Sequence, residues 1–165
     1  MSNNIKRCVF AGTFDPPTKG HTSIINSALK VFDEVIVGVL VNDAKTPLLT
    51  IQERVDLLNK AYGNLKGVVI KSYNGLLVDF LKENNTVYTI RGLRNAVDFE
   101  YEQKMNSVNK SLMPQIESVC FFADSEYVNV SSTYIKSEIT KGNLDCLNNV
   151  ESSIQNDLLN MLKTK

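Results

Sequence analysis

Short β-branched runs alternating with stretches of helical period predict an α/β fold: a Rossmann-like, doubly wound, five-stranded parallel sheet with helices on both faces and a C-terminal helix. Strand-like runs fall at Cys8 to Ala11, Glu34 to Val41, Val68 to Ile70, Thr86 to Ile90 and Glu117 to Phe122. Apolar residues at helical spacing separate them. Strict alternation of the two element types calls for parallel strands joined by right-handed crossovers.

Each element has its own local signal. After the first strand, Ile24, Ile25, Ala28, Leu29 and Phe32 recur on one helical face. The second strand is followed by a capping box, Thr50-x-x-Glu53, ahead of Val55, Leu57, Leu58 and Ala61, with Gly63 as the stop. Further helices are predicted over Leu76 to Asn84, Ala96 to Leu112 and Thr133 to Lys141. Val150, Ile154, Leu158 and Leu162, spaced by four, make one apolar stripe on a last amphipathic helix, expected to pack on its own domain. With no repeat, low-complexity segment or linker, the 165 residues read as a single domain, 1–165.

Composition narrows the function classes. Hydrophobic residues make up 43%, charged residues 22%, and 18 Lys+Arg balance 18 Asp+Glu. That profile suits a soluble globular protein and offers no bulk charge for nucleic acid or a membrane surface. Cys8, Cys120 and Cys146 are an odd number without CxxC spacing, and Cys8 and Cys120 sit in runs that read as buried strands, so a reduced, cytoplasmic setting is expected. The first residues lack the apolar core of a signal peptide, and Val35 to Val41 is too short to span a bilayer.

In open α/β sheets ligands bind beyond the carboxyl ends of the strands, so unusual residues just after strands carry weight. After the first strand comes Ala11-Gly12-Thr13-Phe14-Asp15-Pro16-Pro17-Thr18-Lys19-Gly20-His21, which includes the chain's single histidine. It matches neither GxGxxG nor a Walker A loop. Its glycines allow close approach of backbone to a phosphate, and the helix that follows turns its positive end toward an anion. Taken one at a time, Asp-Pro-Pro-Thr is a turn and His21 a surface residue. A second patch, Ile90-Arg91-Gly92-Leu93-Arg94, ends the fourth strand beside the first, where arginine's planar fork suits phosphate oxygens. Val130-Ser131-Ser132-Thr133-Tyr134-Ile135-Lys136 is a good helix N-cap on bare physics. Lys45, in the loop after the second strand, is a flexible ammonium within reach of the crevice.

Thr18-x-Gly20-His21, preceded by Gly12-Thr13-Phe14-Asp15-Pro16, resembles the (T/H)xGH signature of the nucleotidyltransferase superfamily, in which the histidine faces nucleoside triphosphate phosphates. IRGLR followed by Asp98-Phe99-Glu100-Tyr101-Glu102 is similar to bacterial phosphopantetheine adenylyltransferases, and the Val130 to Lys136 segment resembles the superfamily's ISSTxIR motif. The similarity runs from about Cys8 to Gly142, with departures at Pro17, Lys19, Tyr127 and Lys136.

The resemblance implies transfer of AMP from ATP to 4′-phosphopantetheine, giving dephospho-coenzyme A and pyrophosphate by direct in-line attack. It places Thr13 and His21 at the reacting phosphates, with Lys45 and Arg91 on the acceptor phosphate. Phe14, Gly92, Leu93, Arg94, Glu102, Tyr127, Val128, Asn129, Val130, Ser131, Ser132 and Thr133 are assigned to ATP, and Leu77 to the pantetheine arm. It further implies Mg²⁺ carried with ATP and no protein metal cage, a homohexamer, and coenzyme A as a feedback ligand. Two other readings remain at this point. One keeps the superfamily and changes the acceptor to nicotinate mononucleotide or an alcohol phosphate; the other is a nucleotide-sensing module without catalysis.

Overall fold

The computed structural model describes residues 5–41 and 47–163. Its strands are β1 (Arg7–Gly12), β2 (Glu34–Leu40), β3 (Val68–Tyr73), β4 (Tyr88–Leu93) and β5 (Glu117–Phe122). The helices are α1 (Lys19–Ala28), α2 (Ile51–Tyr62), α3 (Leu77–Glu83), α4 (Ala96–Leu112), α5 (Ser132–Thr140) and α6 (Ser152–Lys163), with 3-10 turns at Ser125–Tyr127 and Leu144–Asn149. All strand pairs are parallel, in the order β3-β2-β1-β4-β5. The order reverses between β1 and β4, which makes that junction the switch point.

Alternation along the strands divides the core in two. Cys8 and Phe10 of β1, with Val35, Val37 and Val39 of β2, pack against Ile24, Ile25 and Ala28 of α1 and Leu58 and Tyr62 of α2. Val9, Ala11 and Ile36 face the other way, onto Val78, Phe80 and Leu81 of α3, with Met113 and Ile116. Period-two alternation therefore places helices on both faces, as predicted.

The C-terminal stripe packs on its own chain. Val150, Ile154 and Leu158 are fully buried with Leu49, Leu57 and Ile135, and Leu162 packs against that cluster. The predicted capping box of α2 is formed: the Thr50 N–H donates to Glu53 Oε2 at 2.7 Å, and the Glu53 N–H to Thr50 Oγ1 at 3.2 Å. Ser131 proves to be the cap of α5, accepting from the Tyr134 N–H at 3.0 Å.

One expectation is corrected. Cys8 is buried, but Cys120 is exposed, because β5 is the edge strand and one of its faces lacks full cover. An apolar run does not reveal whether its strand lies at the edge.

Candidate active site

The cleft opens at the carboxyl ends of β1 and β4, and has a volume of about 320 Å³, within the range of roughly 300–1,000 Å³ usual for small-molecule sites. Thr13, Phe14 and His21 line it from the first loop and helix, Arg91, Gly92 and Arg94 from β4 and just beyond it, and Glu102 from α4. Tyr127 and Val130 to Thr133 close the far side. Three segments far apart in sequence thus meet where the sheet order reverses.

Thr18 and His21 form a capping box in which histidine takes the place of the usual Glu or Gln. The His21 N–H donates to Thr18 Oγ1 at 3.3 Å, and the Thr18 N–H donates to His21 Nδ1 at 3.0 Å. An Nδ1 that accepts from a main-chain N–H carries no proton of its own, so the neutral ring holds its proton on Nε2. Burial, reinforced by the nearby charge of Arg94, lowers the His21 pKa to about 4. His21 is therefore a neutral hydrogen-bond donor at physiological pH. Its ring lies edge-on to Phe14, with centroids 4.9 Å apart.

Phe14 shapes the loop. It adopts a left-handed φ of 48° and is 1% exposed, set edge-on to Phe10 at 5.4 Å. A side chain at Gly12 would meet the Phe14 ring at 3.2 Å, so a glycine there keeps the ring seated. Gly92 has a similar role in the IRGLR segment, since a Cβ would come within 2.9 Å of the Ile24 side chain and force it to shift.

The cations around the cleft are tied to carboxylates. Arg91 Nε lies 3.1 Å from Glu102 Oε2, and its Nη1 donates to the Ala11 carbonyl at 2.9 Å. Arg94 grips Asp98 through Nε at 2.8 Å and Nη2 at 2.9 Å. That hydrogen bonding holds the Asp98 carboxyl below its usual range, whereas burial pushes Glu102 up against the opposing pull of Arg91. Lys136 Nζ donates to Asp15 Oδ2 at 3.1 Å, and the same carboxylate accepts from the Leu48 and Leu49 N–H groups at 2.8 and 2.9 Å. The amino ends of α1 and α5 add their partial positive charge, since Gly20 and Ser131 to Thr133 lie on the wall. Among the described residues, three cations and two helix N-termini meet here, an arrangement suited to a phosphate ester or polyphosphate.

Twelve of the residues nominated from sequence come together here: Thr13, Phe14, His21, Arg91, Gly92, Arg94, Glu102, Tyr127, Val130, Ser131, Ser132 and Thr133. Leu93 is buried at the end of β4, and Leu77 starts α3 within the core of the opposite face. Val128 is half-buried and Asn129 exposed just after the 3-10 turn, apart from the lining residues. Lys45 lies outside the described residues. Sequence reasoning assigned no ligand contact to Asp15, Phe10, Ile24 or Ala123, which also line the cleft. Asp15 stood in the quoted signature without a role of its own, because Asp-Pro reads as a turn until its distant partners are known.

Residues 9–138 match the family model described as Cytidylyltransferase-like. The chain is 46% identical over 132 residues to a phosphopantetheine adenylyltransferase of Clostridium botulinum strain Eklund 17B, covering 80% of this chain and 83% of that one. A second relative of the same description, from Clostridium novyi, is 43% identical over 155 residues, covering 93% and 95%. The chain belongs to the phosphopantetheine adenylyltransferase family. It is accordingly an enzyme, a nucleotidyltransferase. A bifunctional NMN adenylyltransferase/ADP ribose pyrophosphatase from Francisella tularensis shares the fold, with a TM-score of 0.63 at 18% identity over 84% of this chain and 43% of that one. Among the described residues no helix is long and apolar enough to cross a membrane.

Proposed function

We propose that this chain transfers AMP from ATP to 4′-phosphopantetheine, yielding dephospho-coenzyme A and pyrophosphate. The observation that carries the reading is His21: a neutral imidazole whose cap leaves the proton on Nε2, beside two arginines and two helix N-termini. The acceptor phosphate is already an anion and needs no general base. The work left to the protein is to align two polyanions and to stabilise charge on the in-line transition state.

In this reading His21 Nε2–H and Thr13 serve the α-phosphate, Arg91 and Lys45 hold the acceptor phosphate, and Arg94, Glu102 and the 127–133 segment hold ATP. Ligand oxygens would take over donors that Asp98 and Glu102 now occupy. A Mg²⁺ ion carried by the triphosphate would supply charge neutralisation there.

Self-association into a homohexamer belongs to the same proposal. Val97, Tyr101, Val108 and Leu112 share one side of α4 by helical spacing and are exposed, as is Phe122 of β5, and exposed apolar side chains of this kind suit contact with a second copy. Feedback by coenzyme A, which shares the pantetheine arm and phosphate with the substrates, and a cytoplasmic setting complete it.

The test is pyrophosphate release with Mg-ATP and a panel of 4′-phosphopantetheine, nicotinate mononucleotide and phosphocholine. Rapid release is expected with the first alone. Faster release with nicotinate mononucleotide would overturn the acceptor and leave adenylyl transfer standing; release with none of the three would overturn the proposed reaction.

A further inference from the structure

Arg54 stands behind the phosphate-facing loop rather than in the cleft. It lies in α2 and is 5% exposed. Its Nε donates to the Thr50 carbonyl at 3.2 Å, and its Nη1 donates to the Thr13 carbonyl at 2.9 Å, across 41 residues of chain. Unlike Arg91, Arg94 and Lys136, it has no carboxylate partner among the described residues. Burying a guanidinium costs several kcal/mol, which carbonyl acceptors recover in part. An apolar side chain of similar length would pack there without that cost. The charge is therefore explained by what it holds.

The Thr13–Phe14 peptide is trans, so the Thr13 carbonyl and the Phe14 N–H leave opposite edges of one plane. A donor fixed on the oxygen sets the direction of that N–H. It also restrains the left-handed backbone of Phe14, whose ring supports His21. We propose that Arg54 is a positioning residue: from outside the cleft it clamps the Thr13 carbonyl and so orients the Thr13–Phe14 turn against the bound phosphates. This rests on the reading of the cleft as a phosphate-transfer site.

Arg54→Met, close in length and uncharged, and Arg54→Lys, which keeps the charge and one line of donors, separate positioning from bulk stability. Single-turnover rates are measured with saturating Mg-ATP and 4′-phosphopantetheine, alongside ATP affinity by calorimetry and thermal melting. Folded Arg54→Met is expected to be slowed about tenfold to a hundredfold, with ATP affinity changed less than about threefold and Arg54→Lys intermediate. A rate within twofold of the parent in folded Arg54→Met overturns the proposal, whatever happens to the melting temperature. An equal loss in ATP affinity and rate overturns it too. If Arg54→Met does not fold, Arg54→Lys decides: slowing beyond about threefold supports the clamp, and less overturns it. Should the parent itself give no turnover with 4′-phosphopantetheine, the acceptor assignment has failed separately. The clamp is then decided by the Phe14 amide resonance: a shift on adding Mg-ATP that is lost in the variant supports it, and a shift retained overturns it.

Discussion

The seam between β1 and β2 and the seam between β1 and β4 share their first strand and differ in what joins them. On the β2 side six consecutive residues pair in register, from Arg7 with Glu34 to Gly12 with Val39. On the β4 side the ladder reduces to Val9 opposite Thr89. There, side chains take over the carbonyls of β1: Thr86 Oγ1 donates to Arg7 at 2.7 Å, Thr89 Oγ1 to Val9 at 3.2 Å and Arg91 Nη1 to Ala11 at 2.9 Å. The three carbonyls alternate along the strand, as period two requires. A full main-chain ladder makes core. A seam bridged by side chains ends instead in an arginine at the mouth of the cleft, where strand order reverses.

The largest expected effect lies at the open seam. His21→Ala should lower kcat about 10² to 10³ fold while ATP still binds, because a donor aimed at the transition state contributes more to the barrier than to ground-state binding. Single-turnover rates, ATP calorimetry and melting check this. Near-normal chemistry in a folded, ATP-binding variant would remove His21 from the mechanism.

Gly38→Ala and Thr89→Val place a change on either side of β1. A Cβ at Gly38 would fall 2.4 Å from the buried Phe80 ring, so overpacking of about 1–3 kcal/mol is expected in chemical denaturation, with turnover of the folded enzyme kept. Thr89 is fully buried, and valine there would strip the Val9 carbonyl of its side-chain donor, costing about 1–3 kcal/mol and reducing turnover as well. If both variants lose stability alone, the side-chain seam does not govern the cleft.

The smallest effect is on pH dependence. The His21 pKa is lowered in the folded protein to about 4, against about 6.5 for an unfolded histidine. Above about pH 6.5 neither state binds the proton, and the stabilising contribution of the neutral ring is complete. Between about 6.5 and 4 the unfolded chain takes up the proton first, so stability falls as pH falls. His21→Gln should flatten that part of the slope of melting temperature against pH; an unchanged slope would mean that the histidine is not held neutral.

How far the site was legible follows from how local each signal is. Thr50 and Glu53 cap α2 as predicted, and Thr18-x-Gly20-His21 marked the first turn of α1, because caps are set by residues three apart. The position of Arg91 and Arg94 at the switch-point end of β4 was legible, but their carboxylate partners Glu102 and Asp98 were not paired with them. The contacts of Asp15 with Leu48, Leu49 and Lys136 and of Arg54 with Thr13 left no local signal, since the partners lie 33, 34, 121 and 41 residues away.

By itself, then, the sequence determined the alternation of strand and helix, the cap of α2 and the inward face of α6, all of which rest on spacing within one element. The tertiary structure alone decided that β5 is an edge exposing Cys120, that the β1–β4 seam is bridged by side chains, that Asp15 ties Lys136 to the 48–49 backbone, and that Arg54 holds Thr13 from behind. These depend on which segments become neighbours in space. A hydrogen bond or an uncovered edge between distant segments leaves no periodic trace in the residues that make it.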